Sequence, residues 1–145
     1  MVDSEHWLWR LSAGEWLEAA AHELELARER VSSRRTAITH ARRAAGMALN
    51  GVLVAQASRG WSRDDCEQVW GRSYVEHLRV LAQSGPERRG PIDAKAAEGC
   101  GSLLAIPVMP STGLVHLAPR KDAAAVEAIE LASVITRTCA AVIGS

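Results

Sequence analysis

Apolar residues recur along this chain in steps of three and four and almost never in strict alternation, so the elements it predicts are helices. In "SAGEWLEAAAHELELARERVSS" the inward positions are Leu17, Ala20, Leu24, Ala27 and Val31. Ser12 followed by Glu15 forms a capping box that satisfies backbone N–H groups at the helix start, and the stretch predicts a helix over about 12–32. Upstream, Trp7 and Trp9 flank Leu8, and this segment is expected to dock on the helices. In "RRTAITHARRAAGMALNGVLVAQ" the period returns at Ile38, Ala41, Ala45, Ala48, Val52 and Ala55, predicting a helix over about 34–57. Its stripe is small-sided, with Gly46 and Gly51 inside the helix. An interior glycine costs about 1 kcal/mol against alanine, so close approach of another helix is the expected compensation. That marks this segment as the central helix or as a dimer face.

Gly60 stops the second helix, and Ser62 with Asp65 signals the start of another over 62–70. A short helix over 74–83 follows, with Tyr74, Val75 and Leu78 expected to face the core, and "SGPERRGP" closes it as an exposed loop. Asp93 and Asp122 cap further helices over 93–106 and 122–143. Between them lie three prolines and a glycine, which leave either an extended piece at Leu114–Leu117 or an ordered loop. The expected fold is all-α: one domain, an antiparallel bundle of four to five helices.

With 145 residues, 48% apolar and 23% charged, the chain has the composition of one soluble domain with a real core. Seventeen basic against seventeen acidic residues exclude whole-molecule attraction to nucleic acid or an anionic membrane, though not a local basic patch. Cys66, Cys100 and Cys139 are scattered, form no metal-binding pair, and point to a reducing compartment. The N-terminus has no secretory pattern and no apolar run spans a bilayer, so a cytoplasmic protein with no membrane contact is expected. No metal or cofactor is expected either.

Two constellations could carry chemistry. In "RSYVEH", Arg72 and His77 are either a small catalytic unit or two polar residues on a solvated helix face. Arg28, Arg34, Arg35, Arg42 and Arg43 gather around the junction of the first two helices. They are either a patch for anions or RNA phosphate, or partners of Glu23, Glu25 and Glu29 on the same surface.

The order of these parts resembles the HEPN family of small bacterial helical proteins. The likeness is carried by "SAGEWLEAAAHELELARERV", by the Ala-rich "ITHARRAAGMALNGVLVAQ", and by "YVEHLRVL", similar to the family's short His-containing helix. The resemblance implies an antiparallel bundle, commonly a homodimer, working near RNA or nucleotides. Such proteins act as ribonuclease toxins, as partners of minimal nucleotidyltransferases, or as non-catalytic binding modules. Catalytic members carry Arg, four to six residues, then His; the cation stabilises the phosphate while the imidazole takes the 2′-hydroxyl proton. Arg72 and His77 match that spacing, but the family's motif falls on a later helix, near 93–105, where "DAKAAEGCGSLLAIP" has neither residue. The preferred expectation is therefore a non-catalytic interaction or nucleotide/RNA-binding module. The alternative is a metal-independent endoribonuclease using Arg72 and His77.

Overall fold

The computed structural model describes residues 6–109 and 121–145. Among them every regular element is helical. A 3-10 turn at Trp7–Arg10 leads into α1 (Ala13–Glu29), α2 (Arg34–Ala57), α3 (Arg63–Gln68) and α4 (Tyr74–Gln83). Then come α5 (Pro86–Arg89), α6 (Ala94–Ala105) and α7 (Ala123–Gly144). The helices therefore outnumber the four or five expected from sequence. The count rises because the expected pieces over 62–70 and 74–83 stand as separate helices, divided at Gly71 with φ 85°, and because "PERR", expected as loop, closes into a helical turn. No helix of the described residues is long and apolar enough to cross a membrane. The alternatives for Leu114–Leu117 lie outside the described residues.

Side-chain caps set where the helices begin. Ser12 accepts from the Glu15 N–H while the Glu15 carboxylate accepts from the Ser12 N–H, completing the capping box. Ser62, Ser73, Asp93 and Asp122 each accept from the backbone N–H three residues on. Such caps stabilise a helix by about 1 kcal/mol each. Asp122 also meets Arg34 Nε at 3.0 Å, tying the start of α7 to the start of α2. Burial works to raise the Asp122 pKa, but these hydrogen bonds and the guanidinium charge hold it below the ordinary carboxylate value.

The centre of the fold is α2. Every residue from Ala44 to Leu53 is buried, so the helix is enclosed on all sides rather than along one stripe. It packs against α1, α7 and α4. Its glycines are where those neighbours come closest. A Cβ on Gly46 would lie 2.6 Å from Tyr74 Cδ1 and 2.7 Å from its Cα, and one on Gly51 would lie 3.1 Å from the Ala13 carbonyl oxygen. The small face of α2 is thus used within the chain. Of the two roles its sequence left open, it serves as the central helix.

The tryptophan segment docks as expected. Leu8 is fully buried and Trp16 Nε1 donates to its carbonyl at 3.0 Å. The loop expected at "SGPERRGP" is exposed yet tied down, because Trp70 Nε1 donates to the Arg88 carbonyl at 2.9 Å and Arg88 Nε donates to the Val69 carbonyl at 3.0 Å. The inward face of α4 also differs from the expectation. Leu78 and Leu81 are buried and Tyr74 half-buried, but Val75 points to solvent and His77 takes an inward position.

Candidate functional site

Three helices bring polar side chains together beside Tyr74. From α1, Glu23 sits on the buried stripe between Ala20 and Ala27 and is only 7% exposed. From α2, His40 Nδ1 lies 2.5 Å from Glu23 Oε2, and Arg43 Nη2 forms an ion pair with Glu23 Oε1 at 3.2 Å. One buried carboxylate therefore spans two residues one turn apart on the facing helix. Pairing satisfies a charge that could not otherwise be held inside.

Next to this trio, a cleft of about 240 Å³ opens between α2 and the start of α4. Its walls are Thr39, Arg42 and Arg43 on one side and Ser73, Tyr74 and Val75 on the other. Arg42 is anchored deeply: one terminal nitrogen donates to the carbonyls of Leu103, Leu104 and Ile106, at 3.3, 3.2 and 3.0 Å, at the end of α6. Its Nε is buried with no partner among the described residues. Burial draws the Arg42 pKa below its ordinary value, yet a guanidinium remains cationic in a protein. Tyr74 is pushed the other way, upward, first by burial and then by Glu23, with Arg43 opposing. Its phenol accordingly keeps its proton and can donate. The Ser73 hydroxyl accepts the cap bond from Glu76 N at 3.1 Å, leaving its own O–H to donate. The cleft is thus lined by two guanidinium groups and by the hydroxyl-bearing Ser73 and Tyr74, a donor set suited to an oxyanion, while the Thr39 hydroxyl is spent on the Arg35 carbonyl. The N-terminus of α4 adds partial positive charge on the same side.

The candidate patch of arginines is divided by the fold. Arg42 and Arg43 share the cleft. Arg34 is committed to Asp122, and Arg28 lines a different cleft with Lys121, Val126 and Ile129. Arg35 is exposed, one turn before Thr39, whose hydroxyl donates to its carbonyl. Of the three acidic partners weighed against a patch, Glu23 does pair with an arginine, Arg43.

Arg72 and His77 have opposite environments. The Arg72 side chain is exposed, and its backbone N–H donates to Glu76 Oε2 at 3.0 Å. His77 is 1% exposed, which corrects the expectation of a solvated helix face. Its Nδ1 lies 2.7 Å from the Trp70 carbonyl and its Nε2 2.7 Å from Asn50 Oδ1, with the Trp7 ring stacked at 6.1 Å. Two oxygens facing one ring would need a doubly protonated imidazolium. Burial opposes that and pulls the His77 pKa below its ordinary value; weaker influences come from the Trp70 bond, Glu76 and His6. We therefore assign a neutral ring that donates from Nδ1 to Trp70. A half-turn of the Asn50 amide then brings Nδ2, unpartnered in the first orientation, to donate to Nε2. In either state both nitrogens are occupied from within the fold.

The cysteines are packing residues. All three are buried, with burial the first cause of raised pKa in each: about 11 for Cys66, about 12 for Cys100 and higher still for Cys139. A thiol so disposed is no nucleophile at neutral pH.

The sequence reading missed Thr39, His40, Ser73, Tyr74 and Asn50 as polar groups of consequence, and treated Glu23 only as a surface partner. A signal existed for two of them. Glu23 falls on the apolar stripe of α1 at the spacing of Ala20 and Ala27, and Asn50 is the only polar residue between Gly46 and Ala55. Tyr74 and Ser73 gave none, because their place depends on how α4 crosses α2. Comparison with protein-family models, with curated proteins and with solved structures finds nothing that matches this chain.

Proposed function

We propose that this protein is an HEPN-like helical module that binds phosphate-bearing ligands, nucleotide or RNA, without cleaving them. The observation that carries the reading is the cleft lined by Arg42 and Arg43 together with the hydroxyl-bearing Ser73 and Tyr74. With a net charge of zero the chain exerts no general pull on a polyanion, so recognition rests on such a local site. The alternative of RNA cleavage by Arg72 and His77 is less well supported. His77 would have to give up Trp70 or Asn50 to act as a base. Homodimer formation, or pairing with a nucleotidyltransferase-like protein, belongs to the same HEPN-like reading. Either would use a surface other than the enclosed face of α2.

Arg43 is the better probe, since it is exposed whereas Arg42 also caps α6. In fluorescence anisotropy with a short 3′-labelled single-stranded oligoribonucleotide, Arg43→Gln should weaken binding by about tenfold to a hundredfold, the loss of one charge-assisted contact. The RNA should remain intact on a denaturing gel. Equal binding by the variant, or cleavage that disappears in His77→Ala, would overturn the proposal.

A further inference from the structure

We infer that the cleft takes a single terminal phosphate group, a phosphomonoester such as a 5′-phosphate, rather than a run of internal phosphodiesters. The inference rests on the binding reading above and narrows its ligand. Three features point to it. The first is size: about 240 Å³ holds a phosphate and part of its sugar, not a strand passing through. Arg42 closes the inner side, because its guanidinium reaches across to the last carbonyls of α6.

The second is charge. Two guanidinium groups line the cleft, and Arg43 is already shared with Glu23. A diester carries one negative charge, and Glu23 competes with it on nearly equal terms. A monoester carries about −1.5 to −2 at neutral pH and offers three acceptor oxygens, so it outcompetes a lone carboxylate. Those oxygens match donors from Arg42, Arg43 and the hydroxyls of Ser73 and Tyr74.

The third feature is the absence of a track among the described residues. A strand held at several phosphates needs cations spaced along it. Among the described residues the cleft walls carry only Arg42 and Arg43 as cations. Arg34 holds Asp122, and Arg35 and the exposed Arg72 stand outside the walls.

The test compares one short oligoribonucleotide with a 5′-phosphate and with a 5′-hydroxyl, alongside AMP and inorganic phosphate as competitors, across a range of salt. The 5′-phosphorylated strand should bind at least about tenfold more tightly, the worth of one charge-assisted contact. Its log affinity should fall against log salt with a slope near about −1, against about −3 for a strand held at about four phosphates. AMP and inorganic phosphate should displace it, their relative strength showing how much of the carrier is recognised. Equal binding of the two strands with the steeper slope would overturn the inference while leaving the wider proposal standing. No binding of any of these probes would remove both.

Discussion

Replacing His77 by alanine is expected to destabilise the fold by about 3–4 kcal/mol at pH 7, through a cavity and two polar groups stripped of their partner. The Trp70 carbonyl and the Asn50 amide both spend a hydrogen bond on this ring, and Asn50 is fully buried. The same arrangement predicts a pH dependence. The folded state holds His77 neutral, with its pKa below the ordinary value, while the unfolded chain titrates near about 6.5. Below that pH the unfolded state binds the extra proton, so stability is whole above it and declines as the pH falls toward the folded value. The decline can reach about 1.4 kcal/mol per pH unit. The carboxylates with lowered pKa, Glu15 and Asp122, act at more acid pH and leave the range from about 5 to 6.5 to histidine. Urea denaturation at several pH values checks both points. His77→Ala should be much less stable and should lose most of the slope between pH 5 and 6.5. A variant as stable as the parent would mean that His77 is free for other work, and would restore the catalytic reading.

Gly46→Ala should lower stability by about 1–3 kcal/mol, although alanine in a helix normally gains about 1 kcal/mol over glycine. The new methyl would meet Tyr74 at its Cβ, at Cδ1 and at the main-chain Cα, and backbone cannot swing aside as a side chain can. α4 would have to withdraw from α2. That movement carries Ser73 and Tyr74 away from Arg42 and Arg43, so phosphate binding should weaken along with stability. Gly14→Ala is the matched control, because nothing lies within 4 Å of the added methyl. It should be neutral or slightly stabilising. A Gly46→Ala protein as stable as its parent in the same denaturation series would show that α2 and α4 are not in the close contact on which the cleft depends.

Much of the fold was legible in the sequence because caps and periods are local. Ser12, Ser62, Asp93 and Asp122 each announce a helix start from a few residues of chain, and each hydrogen bond is formed. The small face of α2 foretold a close neighbour without saying which. The helical turn at Pro86–Arg89 was hidden because the bonds that hold it come from Trp70 and from the Val69 carbonyl, far from its own residues. His77 was misjudged for a similar reason. An imidazole on α4 looks solvated until a buried asparagine on α2 supplies it with a partner. The site was legible in composition only. An arginine cluster near the α1–α2 junction could be read from the chain, but which arginines share a cleft is decided by where α4 and α6 cross α2. Tyr74 illustrates the limit: its neighbour Gly46 is visible in the sequence, but the contact between them is not.

The central claim is that the protein's ligand contact is the phosphate cleft between α2 and α4. Two-dimensional amide NMR of the whole protein, titrated with AMP, tests it most directly. The account predicts shifts concentrated at Thr39, Arg42, Arg43, Ser73, Tyr74 and Val75, abolished in Arg43→Gln while the rest of the spectrum stays folded. Shifts centred instead on Arg28 and Lys121 or around His77, or no shifts at all, would contradict it.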